Sequence, residues 1–517
     1  MTLVARLRDR AFAWSVVAVS TVAHLWQLGR RPMAHDEAID AWFSWQSRGF
    51  RVAKYDPVYH GPLRFYLEGF VLEHFGTTPG WARTIAALAG IGATIAIALS
   101  RRLLGRVGAP FAALLFTISP TLLTVTRTGR EDSLTGLVSL GVLLIVANAL
   151  RGPRPRHIVG AAALLATSFT LKESTFIFGF AGACFFLALG VLAVVAPEGS
   201  ARDVFRALRR LGSLPWMWAV VAFITIFMVV FTSMFRYGAG FRSGLVDGLT
   251  YWWGQHDERK GSQRWFFYGA IYVAYEWLLL LVAGIGLVVT VRRRSMVGAW
   301  FATMAAVQFA VYSWAGEKFA WLALHPLVPA VLLAALGAQA AYDRLHLPPA
   351  PADATEERTG EGTPRRASIL GITVAVAVLV TLTAVAAMRP AITDGADPRE
   401  LLVTVQTSNE VRDITDRLAD AQDDARVGKI LVDQRDGGSW PWAWYLHELR
   451  DVAYITIDPT QPLPDGYDVY IVSASTPPPP VPDGYVIERF PLRVWWLPDY
   501  DRMSIGDALR WITTRRV

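Results

Sequence analysis

The stretch RPMAHDEAID, residues 31–40, decides how the rest of the chain is read. It follows the apolar run AFAWSVVAVSTVAHLWQLG at residues 11–29, which is close to the length that crosses a hydrocarbon core. His35, Asp36 and Glu37 therefore stand at the mouth of a first membrane helix. One reading is local, with Asp36 as the N-cap of a juxtamembrane helix and Glu37 complementing its dipole. The other makes them the working end of an enzyme. The choice depends on which face of the membrane they occupy and on what shares that face.

Composition places the chain in a membrane. Of 517 residues, 53% are hydrophobic and only 18% are charged, too few charges for the surface of a soluble protein this long. The 20 Trp and 26 Phe suit interfacial belts and packed helices. The net charge of +7 comes from Arg and Lys in short loops between apolar runs, so it reads as a topology signal, and no nucleic-acid partner is expected. The single cysteine, Cys184, excludes an intrachain disulfide. MTLVARLRDR before an apolar run resembles a signal peptide, but the run nearly spans and no small-residue cleavage site follows. A retained anchor helix is expected.

Eleven apolar runs meet the spanning criterion, at roughly 11–29, 81–100, 108–126, 133–150, 157–171, 174–196, 215–234, 267–290, 297–314, 320–342 and 369–388. Alternate connections carry Arg6, Arg8 and Arg10, then RRLLGR, RGPRPR, RDVFRALRR, the arginines 292–294 and the 343–366 segment, which the positive-inside rule makes cytoplasmic. The expected organisation is a membrane core with outer loops over 1–342, a disordered cytoplasmic linker over 343–368, a last span over 369–390 and an extracytoplasmic domain over 391–517. In that last region the runs GKILVD, VAYITID, YDVYIVS and YVIERFPL read as strands and SNEVRDITDRLADAQ as a helix, a small α/β domain with STPPPPVPDG as a rigid connector.

With this topology the outer connections hold HDEAIDAWFSW and YDPVYHGPLRFYLEGF, then TRTGRED (126–132), LKES (171–174), the long segment 235–265 and AGEKFAW (315–321); His325 follows about one turn into the next helix. Charges at a membrane interface are costly unless paired or solvated, so their collection on one face implies a polar cavity opening outward. The plain alternative is that loops are polar anyway.

HDEAIDAWFSW, YDPVYHGPLRFYLEGF, TRTGRED, LKES, YWWGQH, GEKFAWLALHPLVP and SWPWAWYLHEL together resemble the archaeal-type flippase-activity-associated family, over residues 31 to about 450. That family belongs to the GT-C superfamily of multi-spanning glycosyltransferases that use polyprenyl-phosphate-linked sugars, and is related to the dolichyl-phosphate-mannose–protein mannosyltransferases. The resemblance implies a mainly α, GT-C-type transmembrane helix bundle of about 11 spans. It implies transfer of a sugar from the lipid carrier to an acceptor protein or glycan, among membrane lipids, on the outer face.

Displacing a polyprenyl phosphate from an anomeric carbon needs a base for the acceptor proton and positive charge for the departing phosphate. By resemblance Asp36 is the favoured base, with Glu37 and His35 in support, though Asp36 and Glu37 can exchange roles. Arg127 and Arg130, three apart, share a face if helical and lead as phosphate ligands, with Lys172 and Lys318 adding point charge. An internal salt-bridge network with Glu131 and Asp132, and pairs such as Lys172 with Glu173 or Glu317 with Lys318, compete with that reading. Tyr55, Tyr59, His60, Asp132, Glu173, His256, Glu317 and His325 complete the substrate-binding set. A divalent metal ion on Glu37 and His256 is the one cofactor entertained, without a diagnostic spacing; no nucleotide or organic cofactor is expected. The tryptophans of SWPWAWYL exceed what a small core needs and read as a membrane-docking face, a cover over the site or a glycan platform.

Two other functions compete. A flippase or transporter component should show charges on both sides of the midplane and broken helices in related halves; no inverted repeat is visible and the polar groups collect on one side. An inactive glycosyltransferase-like scaffold would not need the acidic pair and the basic groups.

Overall fold

Inside hydrocarbon a backbone has no water to bond, so a spanning segment must satisfy its own N–H and C=O groups as a helix. Each apolar run is helical in the computed structural model, which describes residues 3–196, 199–258, 263–346, 362–474, 480–481, 483–495 and 497–515. Among the described residues seven helices are long and apolar enough to cross a membrane: Pro79–Leu99, Glu131–Arg151, Thr175–Val195, Leu214–Phe231, Met296–Trp314, Ala320–Leu345 and Leu370–Thr393. Two more runs are bent in the middle, and counting each as one span makes nine. The first and fifth runs form shorter helices, apolar over Arg10–Leu25 and over the 15 residues Pro155–Phe169.

The two breaks have local causes. Gly108–Ile118 and Pro120–Thr126 meet at 68°. Pro120 has no N–H to give and disfavours a helical Ser119, which is extended at φ −63°, ψ 122°. Ser119 then caps the second piece, its Oγ accepting from the Leu122 amide at 3.1 Å. Phe267–Tyr275 and Trp277–Arg293 meet at 100° around Glu276. The buried Glu276 carboxylate serves the other break: its Oε1 accepts from Ser119 Oγ at 2.8 Å and from the Thr121 amide at 2.9 Å. Two of the apolar runs are thus broken, at Ser119–Pro120 and at Glu276.

The chain divides into two compact units that do not follow its order. The first comprises Met1–Trp26, Val52–Arg64 and Thr84–Thr393; the second comprises Gln27–Arg51, Phe65–Arg83 and Asp394–Val517. The C-terminal region is therefore grouped with the acidic stretch 31–40 rather than standing as a unit of its own.

In the second unit five short strands form two sheets: β1 (Gln406–Thr407), β2 (Ile430–Asp433), β3 (Val452–Ile455), β4 (Val469–Ile471) and β5 (Arg493–Val494). Strands β3, β2 and β4 are parallel in that order, with Ile430 opposite Val452 and Val469. The expected helix is present as Asn409–Asp423 and lays Val411 and Leu418 against Ile430 and Val432. The expected strand YVIERFPL does not form; Val486 is 96% exposed, and the chain pairs only afterwards, where β5 runs antiparallel to β1. A strand needs a ladder partner, and alternation alone does not supply one. Of the connector STPPPPVPDG, residues 475–479 and 482 lie outside the described residues, as does 347–361 of the linker; from 362 the chain is already in the helix Gly362–Met388.

The aromatic segment SWPWAWYL is a packing element. Trp442 lies in the core with Val411, Ile430 and Leu446, and Trp444 packs on Met33, Ala38, Ala41, Leu72 and Ala82. Both indoles are buried, so neither forms a docking face or a glycan platform. Ala38 and Ala41 matter here because small side chains on the helix His35–Gln46 leave room for the Trp444 ring.

Candidate active site

The acidic stretch opens the helix His35–Gln46 of the second unit. Its N-cap is Ala34, not Asp36, and the capping acceptor is Glu37, whose Oε2 takes the Ala34 amide at 3.0 Å. Glu37 is fully buried and its two oxygens grip Arg83, Oε1 with Nε at 2.6 Å and Oε2 with Nη2 at 2.8 Å. Arg83 also donates to the carbonyls of Leu28 and Arg31 at 2.8 Å and of Pro32 at 3.0 Å. Glu37 and Arg83 thus form a bidentate clamp that holds the turn before the helix. Against the expectation of Glu37 as base or metal ligand, the structure shows both of its oxygens engaged by the buried Arg83 guanidinium. Asp36 stands next to it in the first helical turn, half-buried. His35 is half-buried too, and its amide donates to the Val405 carbonyl at 3.0 Å.

The first unit holds a cluster of buried ionisable groups. Three helix junctions build it: Val52–Arg64, the turn 127–131 before the helix Glu131–Arg151, and the turn 170–174 before Thr175–Val195. The Lys172 ammonium bonds Glu131 Oε1 at 2.7 Å and both Asp132 oxygens at 2.8 and 2.9 Å. His325 reaches Asp132 Oδ1 at 3.0 Å through Nε2 and stacks on Tyr312. Arg130 donates to Glu131 Oε1 at 3.1 Å with its guanidinium 5.0 Å from the Trp321 ring centroid, and Arg64 lies 3.8 Å from Glu131 Oε2 while donating to the Gly129 carbonyl at 2.6 Å. Glu173 receives the Tyr55 hydroxyl at 2.6 Å and His60 Nδ1 at 2.7 Å, and His60 stacks on Trp252. Three carboxylates (Glu131, Asp132, Glu173) thus meet three permanent cations (Arg64, Arg130, Lys172) and two imidazoles, each of these side chains under a tenth exposed. Such a set persists in an apolar bundle only because each charge is paired.

The approach of the backbones is tight at one point. A Cβ on Gly61 would collide with the Thr170 carbonyl, and the Gly61 amide donates to the Leu171 carbonyl at 3.1 Å. Glycine in YHGP therefore docks the His60 turn onto the Lys172 turn.

Burial disfavours the Lys172 ammonium, but Asp132 and Glu131 outweigh it and hold the group above its ordinary range. Burial also opposes charge on His60, yet the neighbouring Glu131 and Glu173 raise it above 6.5 overall. The folded state therefore binds the His60 proton more tightly than the unfolded state. Its contribution to stability is fully present below pH 6.5 and is lost as pH rises through the raised folded value. The unfolding temperature of the detergent-solubilised protein is expected to fall as pH rises above 6.5, and this slope to flatten in His60→Gln. An unchanged slope in the variant removes His60 as its source.

Arg127, expected as a phosphate ligand, has its guanidinium on backbone carbonyls. Its Nη1 donates to the carbonyls of Ala23 at 2.6 Å and His24 at 2.9 Å, its Nη2 to Trp26 at 2.8 Å and its Nε to Ala391 at 3.1 Å. Three of these acceptors are the orphan carbonyls at the end of the first helix, which a buried guanidinium caps. Nor do Arg127 and Arg130 share a helix face, because Arg127 ends one helix and Arg130 precedes the next. Lys318 is buried and donates to the Ala315 carbonyl, with Glu317 half-buried beside it. Tyr59 is half-buried in a turn closed by its amide on the Asp56 carbonyl. The His256 side chain lies outside the described residues, and among those described no group of three or more His, Cys, Asp or Glu is arranged to hold a metal ion.

Arg64, Arg83 and Glu276 were not singled out from sequence. A signal existed for two of them: Arg83 in PGWARTIAALAG and Glu276 in IYVAYEWLLLL are lone charges in apolar runs, and a charge there is retained for a partner.

Residues 59–197 match the family described as dolichyl-phosphate-mannose-protein mannosyltransferase. No curated protein matches the chain. Among solved structures, ArnT from Cupriavidus metallidurans bound to undecaprenyl phosphate is similar with a TM-score of 0.56 and 17% identity, over 86% of each chain. The apo oligosaccharyltransferase of Archaeoglobus fulgidus is similar with a TM-score of 0.54 and 14% identity, over 86% of this chain but 64% of that one. The chain thus spans less than two thirds of the archaeal enzyme's length. These likenesses are likenesses of fold: the protein is a multi-pass membrane protein with a GT-C-type fold.

Proposed function

We propose that the protein is a glycosyltransferase that moves a sugar from a polyprenyl phosphate to an acceptor protein or glycan on the extracytoplasmic face. The observation that carries this reading is the fold shared with a structure that holds undecaprenyl phosphate; Asp36, half-buried in the first turn of the helix, is the proposed base. Asp36 takes the proton of the acceptor O–H or N–H as the acceptor atom bonds to the anomeric carbon. The bond from that carbon to the phosphate oxygen breaks with its electron pair, polyprenyl phosphate leaves, and the anomeric configuration inverts.

The test is transfer from radiolabelled undecaprenyl-phosphate sugars in proteoliposomes. Asp36→Asn is expected to lower the rate at least about a hundredfold, the usual share of a general base, with the unfolding temperature unchanged. A rate near wild type takes Asp36 out of the base role. A second reading, a flippase or transporter component, is favoured by the two helix breaks joined at Glu276. Translocation of the lipid without sugar transfer in the same vesicles decides for it.

A further inference from the structure

Two helices of the first unit, Leu3–Leu25 and Pro79–Leu99, touch along half their length and then part. The buried hydroxyls of Ser20 and Thr94 bond at 2.9 Å, and Gly90 approaches His24 so closely that a Cβ would strike the imidazole. These two contacts make the pair antiparallel. Past Ser20 and Thr94 come Val17 on one helix and Ile95 on the other, and there a cleft of about 370 Å³ opens between them. The small, buried Ala13 and Ala98 leave it room, and Arg10 and Arg101 line it as well. Arg10 is roughly 15 Å along the axis from Ser20 and Arg101 roughly 10 Å from Thr94, in the same direction, so both stand at one end of the cleft. Among the described residues that line it none is acidic. The charged cluster lies elsewhere: Arg127 caps the opposite end of the first helix, roughly 20 Å from Arg10.

We propose that this cleft binds an anionic glycerophospholipid, its phosphate between Arg10 and Arg101 and an acyl chain along Val17 and Ile95. A free anion would leave the apolar walls unused, and a bare hydrocarbon chain would leave the arginines unused. Each guanidinium has five donors in a planar fork that suits phosphate oxygens, and a basic pocket between membrane helices is a headgroup site. The bound lipid fills the space where the helices part and so stabilises the folded chain. The site is independent of the proposed sugar transfer.

The experiment follows the unfolding temperature of the full-length protein in neutral detergent as phosphatidylglycerol is titrated in. A saturating rise is expected. Phosphatidylcholine, whose choline offsets the same phosphate, is expected to need at least about fivefold more lipid. Arg10→Gln and Arg101→Gln are each expected to raise the half-saturating phosphatidylglycerol concentration about fivefold. Arg10 is exposed, so its variant carries the test if Arg101→Gln does not accumulate. Ile95→Trp keeps both arginines but fills the slot, and is expected to abolish the saturable rise. Equal midpoints for the two lipids, or an unchanged midpoint in Arg10→Gln, overturns the site. The same rise with glycerol phosphate overturns the lipid assignment in favour of a plain phosphate site.

Discussion

Replacing Lys172 by methionine is expected to remove most of the protein's stability. The ammonium is the shared partner of Glu131 and Asp132, both of which are at most 1% exposed. Without it Asp132 keeps only His325, and Glu131 keeps Arg130, Arg64 and His60 at longer range. Breaking a buried ion pair from one side costs about 3–5 kcal/mol, because the remaining charge is stranded in low dielectric. Against a typical total of about 5–15 kcal/mol that is a large share. The measurement is the unfolding temperature in detergent micelles together with yield from membranes. Lys172→Met with Asp132→Asn removes both charges and is expected to recover a good part of the loss, since the penalty comes from the unpaired acid. A single variant that unfolds at the wild-type temperature contradicts a paired network.

Arg83→Met is expected to be as damaging, by the same reasoning in the second unit. It leaves Glu37 buried with the Ala34 amide and the more distant Arg31 at 3.6 Å, and deprives the carbonyls of Leu28, Arg31 and Pro32 of their donor. The cost is again about 3–5 kcal/mol, and the damage is local. Amide exchange of the helix His35–Gln46 is expected to accelerate ahead of the spanning helices, since the clamp holds the turn from which that helix starts. Glu37→Gln keeps the shape and is expected to cost less. Asp36→Asn is the control, losing transfer without losing protection. If Asp36→Asn and Arg83→Met accelerate exchange alike, the contrast between the two acids is wrong.

Both effects concern charges whose roles composition alone does not separate. In TRTGRED two arginines three apart look equivalent, yet one caps the end of the first helix and the other sits with Glu131 and Trp321. In HDE two adjacent acids look interchangeable, yet helical rotation of about 100° per residue sends one to a buried arginine and leaves the other half-exposed. The missing information is the identity of the facing element: Arg83 is 46 residues from Glu37, and Ala391 is 264 from Arg127.

The helices themselves were legible because an apolar run of spanning length has one way to satisfy its backbone in lipid. The break at Pro120 has its cause in the neighbouring residues, and the parallel strands β2, β3 and β4 fall on the runs that alternation picks out. The false strand at YVIERFPL shows where alternation fails, since a ladder partner is a tertiary fact.

What the sequence determined by itself was the membrane class, the placement of the helices and the collection of reactive side chains in the segments between them, all consequences of local hydropathy and chain length. What only the tertiary structure decided was which of those side chains are already paired. A buried charge takes its role from the group that neutralises it, and in this chain that group is supplied by a distant segment: Arg83 for Glu37, Lys172 for Asp132, Glu276 for the break at Ser119.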